Sequence, residues 1–417
     1  YLFPEQDLLV HLLDMYFDNL NILLPVLHRP TLERGLRNGQ HFIDEAFGGV
    51  VLLVCANGAR FSSDPRVILP GTDMRHSAGW RWFSQVRYAG KLMFAASRLH
   101  DLQIACLGAI YMMGSSASHA SWNMIGVGIR LSQDIGVHRK KVYKTSPTAD
   151  EELFKRCFWV LVCLDRWVSS TAGRPCAIQE EDFDLEMPID CDDEYWDHPD
   201  PEQNFKQPPR KPSRMSAFIC HLQLCQIHGY ALRTIYSSNK AKSHFGFIGP
   251  QWEQKIITGF DSILNRWVDS VPDYLRWDPM REDDVFFIQS AHLYAMFYEL
   301  QIAVHRPFIS PLKNSQHSFP SIAICVNAAR SCSRIVDSLT KRWPMRIFPL
   351  MHRPTFTAAI VLLLGIWDAS RLKLSPNVEK EISDVNKCLH LMQVMEDQWH
   401  PAGRILCGVY PPTGIFH

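Results

Sequence analysis

The sequence predicts an all-α protein. Apolar residues recur at spacings of three and four in one segment after another, which is the period of an amphipathic helix. Glycine or proline follows many of these segments, and helices commonly end at such residues. No run alternates apolar and polar residues for long enough to indicate a strand. We therefore expect a large multi-helix domain whose helices pack around one extended core.

Each predicted helix carries its own apolar pattern. The first has a stripe that includes Leu9, Leu13 and Leu20 and stops at Pro25. The second is apolar on all sides, which indicates burial, and the third is aromatic with a less regular period. In chain order the predicted helices cover residues 9–20, 48–56, 75–94, 99–113, 122–135, 152–172, 215–237, 256–268, 286–304, 322–339, 357–367 and 385–399.

The two central helices, 122–135 and 152–172, end at recognisable signals. Gly136 follows the first, and a glycine there adopts positive φ while the next apolar residue, Val137, folds back in a Schellman-type cap. His138 and the basic residues after it offset the negative end of the helix dipole. Gly173, Arg174 and Pro175 end the second helix.

Composition limits the function. Lys and Arg total 43, as do Asp and Glu, so no overall field favours a polyanion and we expect no direct nucleic-acid binding by this chain. The 12 cysteines are scattered without a Cys-x-x-Cys pair, which predicts reduced, buried thiols and neither a zinc site nor another cofactor.

Neither end suggests a targeting or membrane segment. The chain begins at Tyr1 without a basic and apolar leader, so we expect an excised segment that has no signal peptide. The longest apolar run, residues 358–367, is far shorter than the ~20 residues that cross a bilayer. We therefore expect no membrane partner.

One segment interrupts the helical pattern. Residues 180–202 are rich in Asp and Glu, and residues 206–214 are basic and rich in proline. We interpret 180–214 as a surface loop, partly ordered by pairing with itself, between an N-terminal half (1–179) and a C-terminal half (215–417). The helices on both sides of this loop are apolar on more than one face, and one half of the chain could not bury all of these faces. We therefore do not divide the chain into independent domains.

The tripeptide His-Arg-Pro occurs three times, beginning at His28, His305 and His352. Proline disfavours α geometry before it, and His with Arg can bind the last carbonyls of a helix. We interpret all three as helix stops, with His305 and Arg306 as capping candidates.

Asp165 falls on the apolar face of the second central helix, which predicts a buried carboxylate. Buried carboxylates are usually paired, and the nearby cations are Arg130, Arg139, Arg166 and Arg174. A general base or an effector contact remains an alternative, but an ion pair that links helices is favoured because no nucleophile has a recognisable spacing. The candidates for structural ion pairs or caps are Arg130, His138, Asp165, Arg174, His305 and Arg306.

Catalytic signatures are missing, with one exception. The cluster Asp192, Asp193 and Asp197 resembles the aspartate-rich magnesium motif of terpene cyclases, which are also all-α. It lies between prolines and lacks a second ligand set, so a solvated acidic loop is the favoured interpretation. A metal-dependent cyclase-like enzyme is the alternative function. The 12 Trp and 23 Phe could also line an apolar ligand cavity, although most are expected to be core.

The order of these motifs resembles the regulatory middle region of fungal binuclear zinc-cluster transcription factors, of the xylanolytic-activator type. The resemblance covers nearly the whole chain. It is carried by Tyr16-Phe17, 24–31, Trp122, Gly126, 129–131, 134–139, Arg156, 158–159, 164–166, 173–175, 187–188, Leu264, Trp267, 271–272, Leu275, 277–279, 305–308, Cys325 and 328–329.

The resemblance implies a non-enzymatic regulatory domain of a nuclear protein that controls transcription by RNA polymerase II. DNA contacts and zinc would belong to a zinc-cluster domain outside this chain. The domain would respond to a small-molecule inducer or a protein co-regulator, and the full-length protein would form a homodimer. A ligand-free interaction scaffold is a further alternative.

Overall fold

A computed structural model describes residues 1–87, 96–143, 147–309, 318–344, 349–371 and 378–409. These residues form α-helices, a π-helical turn at Phe17–Asn21 and short 3-10 turns and contain no strand, so the all-α prediction is confirmed. The α-helices are α1 (Gln6–Tyr16), α2 (Arg29–Arg37), α3 (Gln40–Ile43), α4 (Glu45–Ala59), α5 (Trp80–Phe83), α6 (Leu99–Met113), α7 (His119–Ile135), α8 (Ala149–Ala172), α9 (Met215–Thr234), α10 (Asn239–His244), α11 (Pro250–Ser270), α12 (Asp284–His305), α13 (Ser318–Arg342), α14 (His352–Arg371), α15 (Val378–Glu396) and α16 (His400–Val409).

The chain divides into two compact units. Unit 1 comprises Tyr1–Leu222 and Asp397–Pro401, and unit 2 comprises Gln223–Glu396 and Ala402–His417. The division falls inside α9, so it does not coincide with the predicted acidic and basic loop at 180–214. That loop belongs wholly to unit 1.

In unit 1 the helices pack in sequence, α1 on α4, α4 on α6, α6 on α7 and α7 on α8. Helices α4 and α6 are buried on nearly every side, which explains why their apolar residues show no single stripe. Two glycines permit the closest helix crossings. A Cβ at Gly58 would lie 2.1 Å from the Leu12 carbonyl oxygen, and one at Gly128 would lie 2.8 Å from the Leu161 side chain.

Unit 2 is built from α12, α13, α14 and α15, with α11 packed on α12. By length and composition alone, the helical stretch Pro349–Ala369 is apolar enough to cross a membrane. It contains most of α14, which packs against α13 and α15, and such core helices commonly pass the same test. It therefore gives only weak support for a membrane span.

The predicted ends of the two central helices are confirmed. Gly136 has φ +86°, and the Val137 N–H donates to the Ser132 carbonyl at 3.1 Å, which is the long bond of a Schellman cap. Gly173 has φ +63°, and the Arg174 N–H donates to the Ser169 carbonyl at 2.9 Å. The positions predicted for the cysteines are also confirmed, because eleven described cysteines are free and ten of them are buried; the Cys407 side chain lies outside the described part.

Two expectations about local structure are wrong. His-Arg-Pro ends a helix only at His305, whereas His28 precedes α2 and His352 is the first residue of α14. Proline in the first helical turn has no N–H to lose and its fixed φ suits the helix, so the tripeptide is also compatible with helix starts. The predicted aromatic helix at 75–94 is instead a 3-10 turn and the four-residue α5, while residues 88–95 lie outside the described residues.

Candidate functional site: the polar face of helix α8 and its return segment

Helix α8 carries an unusual row of buried polar side chains. Thr148 and Glu151 start the helix with a reciprocal capping box, and Gly173 ends it. Between these ends, the polar residues that are at most 1% exposed are Glu152, Arg156, Asp165, Arg166 and Ser169. Buried polar groups need hydrogen-bond partners, so the surroundings of this row define the candidate site.

The partners lie on the chain that follows the helix. Residues 176–193, which we call the return segment, run back along α8 in the opposite direction, with successive backbone groups bound by α8 side chains. The bonds are Ala177 N–H to Asp165 Oδ2 (2.8 Å), Arg166 Nη1 to Ile178 O (2.5 Å), Trp159 Nε1 to Glu186 O (2.8 Å) and Ile189 N–H to Glu152 Oε1 (2.9 Å).

The return segment alternates between its two sides. Phe183 and Leu185 are buried, whereas Asp182, Asp184 and Glu186 are exposed. The acidic side chains predicted for a surface loop are therefore at the surface, but the backbone between them is held by α8. In the basic part that follows, Lys211 contacts Glu194 at 2.5 Å, so acidic and basic residues also pair with each other.

Asp165 is 1% exposed. Its cationic neighbour is Arg166, at 3.4 Å, and it also accepts from the Ser169 hydroxyl at 3.1 Å. Burial raises the pKa of Asp165, while Arg166 and the Ala177 N–H oppose that rise. The pair lies within one helix and fixes the return segment. It does not link two helices as expected, because both side chains turn toward the same stretch of backbone.

The other candidates from the two central helices occupy separate places. Arg174 is exposed, and its guanidinium lies 4.9 Å from the ring centroid of Trp122. The Trp122 Nε1 donates to Ser169 at 3.1 Å, so contacts connect Arg174 to Asp165 through two intervening side chains.

Arg130 and His138 do not join that cluster. Arg130 is exposed and donates to Gln133 on its own helix at 2.9 Å. The His138 carbonyl accepts from the Asp184 N–H at 3.2 Å, while its ring Nδ1 is buried without a hydrogen-bond partner among the described residues. His138 therefore meets the return segment through its backbone.

A second junction was not predicted. Arg156 donates to Asp193 Oδ1 at 2.8 Å, and its guanidinium lies 4.3 Å from the ring centroid of Trp196. His28 stacks on the same indole at 4.3 Å, and its Nε2 contacts the Asp193 carbonyl at 2.9 Å. Within α8, Glu152 contacts Lys155 at 3.3 Å.

The magnesium-site alternative has no support. Asp192 accepts from the Arg214 N–H at 2.8 Å and from Gln207, Asp193 pairs with Arg156, and Asp197 is exposed. The cluster lies on a 3-10 turn rather than along a helix, and its carboxylates are not grouped closely enough to share a metal ion. Their hydrogen bonds hold a loop together, which is why the sequence cluster does not become a metal site.

In unit 2, His305 and Arg306 also differ from simple caps. His305 is buried, its Nε2 lies 2.9 Å from Asp261 Oδ1, and its Nδ1 lies 3.3 Å from the Ser321 hydroxyl. Arg306 donates to the Tyr236 hydroxyl at 3.0 Å. His305 thus joins α11, α12 and α13. A Ser-His-Asp arrangement can activate a nucleophile, but Ser321 is 2% exposed and a substrate cannot reach it here.

A buried cysteine and histidine in unit 1 are similarly occupied. Cys163 Sγ lies 3.6 Å from Nε2 of His221, and the same nitrogen is 3.2 Å from the Trp167 indole N–H. The indole occupies the nitrogen lone pair that would otherwise accept a proton from the thiol. These polar groups therefore organise the core, and those of α8 hold the return segment.

Comparison with known proteins identifies the family of the chain. Residues 13–269 match the fungal specific transcription factor domain. The chain is 25% identical over 376 residues to an uncharacterized transcriptional regulatory protein of Schizosaccharomyces pombe, covering 87% of this chain and 47% of that protein.

Two further relatives have more specific names. Cutinase transcription factor 1 alpha of Fusarium vanettenii is 24% identical, with 84% of this chain and 37% of that protein covered. The ABC-transporter-regulating transcription factor of Aspergillus fumigatus is 24% identical, with 86% and 42% covered. The chain thus spans less than half the length of these relatives, and no solved structure matches it significantly. Because the family match covers more than half of the chain, the protein belongs to the fungal specific transcription factor domain family.

Proposed function

We propose that this chain is the regulatory region of a nuclear transcription factor. It receives a signal, from a small-molecule inducer or a protein co-regulator, and thereby restrains or releases transcription by RNA polymerase II. The observation that carries this proposal is the family match over residues 13–269. The names of the relatives, all transcriptional regulators, support it.

A non-enzymatic role is part of the proposal. The polar groups that could serve catalysis have structural partners: Asp165 holds the return segment, Asp193 pairs with Arg156, and His305 joins three helices. A general acid or base must instead reach a substrate. DNA binding through a zinc cluster, dimerisation and the nuclear address would belong to the whole protein rather than to this chain.

The return segment is the element that we propose a signal controls. Side chains of α8 hold its backbone, so releasing it requires no helix or sheet ladder to break. A ligand or partner that binds one position of the segment more tightly than another would shift the population toward that position. Only such a difference in affinity can transmit a signal.

A reporter assay tests the regulatory role. The chain is placed between an unrelated DNA-binding domain and an unrelated activation segment in fungal cells, and reporter output is compared with that of the same fusion without the chain. We expect lower output with the chain. Arg156→Met removes a buried contact to Asp193 of the return segment and should therefore raise the output.

Arg130→Met is the matched control, because Arg130 is an exposed arginine that donates a hydrogen bond to Gln133 on its own helix. It should leave reporter output unchanged at equal protein level. Equal output with and without the chain, in every growth condition that is compared, would contradict the proposal.

A further inference from the structure

Arg60, which follows α4 in unit 1, is a buried cation of a different kind from the others. Three arginines are buried in the described part of the chain. Arg156 has Asp193 at 2.8 Å, and Arg166 has Asp165 at 3.4 Å. Arg60 is 2% exposed, and no described carboxylate lies within ion-pair distance of it. An arginine does not lose its charge on burial, so this charge remains without a counterion.

The known contacts of Arg60 satisfy only part of its guanidinium. Nη1 donates to the His76 carbonyl at 3.0 Å and to the Gln398 carbonyl at 3.2 Å. The guanidinium carbon lies 4.5 Å from the ring centroid of Tyr111 and 5.8 Å from that of Trp399. Carbonyls and aromatic faces stabilise a cation, but Nε is buried without a hydrogen-bond partner among the described residues. The Nε atoms of Arg156 and Arg166 also lack one there, so what distinguishes Arg60 from those two arginines is the lack of a carboxylate.

A second unpartnered donor lies beside the first. Trp399 is 2% exposed, and its indole N–H is also buried without an acceptor in the described part of the chain. Within the same described residues, Nη2 of Arg75, the residue before His76, is a third buried donor without a partner. Buried donors usually have acceptors, so donors without one in the same neighbourhood indicate a missing acceptor-bearing group.

The surrounding side chains restrict the chemistry of that group. Phe61 packs edge-on against Trp399 at 5.7 Å, and Phe83 stacks on Tyr111 at 4.5 Å. A carboxylate supplies two acceptor oxygens and one negative charge, which suit the free edge of a guanidinium and an indole N–H. Aromatic walls suit an apolar body attached to it.

We propose that Arg60 and Trp399 form a binding site for a small organic carboxylate with an apolar or aromatic body. The Arg60 Nε–H and the Trp399 indole N–H donate to the carboxylate, and the apolar body packs against the neighbouring rings. Binding at this site does not depend on the regulatory role proposed above. If the carboxylate is also the inducer, that further step rests on the proposed function.

Thermal unfolding of the purified chain tests the site, with phenylacetate as the probe. The neutral analogue phenylacetamide, inorganic phosphate, and sodium chloride at equal ionic strength are the controls. Phenylacetate should raise the Tm of the unsubstituted chain, whereas phenylacetamide and chloride should not. Inorganic phosphate should have little effect, and an equal rise with phosphate would overturn the assignment of an organic carboxylate.

Two variants separate binding from general stability. Arg60→Met should abolish the phenylacetate shift. Arg156→Met, which also removes a buried arginine but one that has its own carboxylate, should keep the shift even if its starting Tm is lower. A shift that persists in Arg60→Met, or that is absent from the unsubstituted chain, would overturn the proposal.

A nuclear magnetic resonance titration does not depend on how the Arg60 variant folds. The indole N–H resonance of Trp399, identified by its loss in Trp399→Phe, should move on addition of phenylacetate and stay in place with phenylacetamide. A resonance that does not move with phenylacetate would refute donation by this indole. Because the measurement reports binding alone, its failure would leave the reporter result of the regulatory proposal unaffected.

Discussion

Replacing Asp165 with alanine removes the carboxylate that joins α8 to the return segment. The carboxylate accepts from the Ala177 N–H at 2.8 Å and from the Ser169 hydroxyl at 3.1 Å, and it faces the Arg166 guanidinium at 3.4 Å. A hydrogen bond to a charged group contributes about 1.5 to 3 kcal/mol. The desolvation that raises the pKa of Asp165 offsets part of this contribution.

The larger effect comes from the charge that remains. Arg166 is 1% exposed and keeps the Ile178 carbonyl, but its nearest other carboxylate, Glu180, lies at 3.7 Å. Removing one partner of a buried ion pair typically costs about 3 to 5 kcal/mol. We therefore expect Asp165→Ala to lower the free energy of unfolding by about 3 to 5 kcal/mol.

Urea unfolding followed by circular dichroism and tryptophan fluorescence measures this loss. Asp165→Asn keeps an acceptor for the Ala177 N–H and should lose less stability than the alanine variant. The double variant Asp165→Ala/Arg166→Met should recover part of the loss, because it also removes the buried charge whose nearer carboxylate is gone and whose remaining one, Glu180, lies at 3.7 Å. An unchanged melting curve for Asp165→Ala, or fully additive losses in the double variant, would refute this explanation.

Three other substitutions test local features. Gly136→Ala should destabilise the chain by about 1 to 2 kcal/mol, because φ +86° is unfavourable for an L side chain. Gly126→Ala, inside α7 with open space around the added Cβ, should stabilise it by up to about 1 kcal/mol. Chemical denaturation measures both changes, and a change of stability in the same direction for the two variants would contradict this reasoning. Burial lowers the pKa of His28 below its ordinary 6.5, so the unfolded chain binds the proton first and stability should fall as pH drops below about 6.5. His28→Phe should weaken that pH dependence. Equal stability profiles of the two proteins between about pH 7.5 and 5 would contradict this role of His28. Burial raises the pKa of Glu299 above its ordinary 4.5 despite the opposing charge of Arg353. The unsubstituted chain should therefore lose stability relative to Glu299→Gln as pH rises above about 4.5, and a constant difference in unfolding free energy would argue against a perturbed carboxyl.

Much of the fold follows from local patterns. The predicted segment 99–113 is α6 with the same bounds, and Gly136 ends α7 in the expected left-handed conformation. These features depend on residues close together in the chain, which the sequence displays directly. The prediction of a helix at 75–94 is wrong because aromatic residues pack equally well in turns and in helices. Local spacing alone does not distinguish a turn from a helix.

The candidate site depended more on distant contacts. Asp165 was identified because its position on an apolar helical face is visible in the sequence. Its partner does not follow from the sequence, since Arg130, Arg139, Arg166 and Arg174 are all candidates and spacing alone does not choose among them. The pairing of Arg156 with Asp193 crosses 37 positions, and no pattern of spacing indicates it.

Residue order is sufficient to predict the helical class, the ends of the central helices and the family to which the chain belongs, because helical period, capping residues and motif order are properties of the sequence. Tertiary packing sets what the buried charges do. It placed the return segment against α8, occupied the aspartates of the apparent metal motif with loop contacts, and brought residues 397–401 into unit 1 beside Arg60. A charged side chain can hold a segment in place, bind a metal ion or keep a donor without a partner. Which of these it does depends on the distant groups that surround it after folding, and those are set by the packing of the chain.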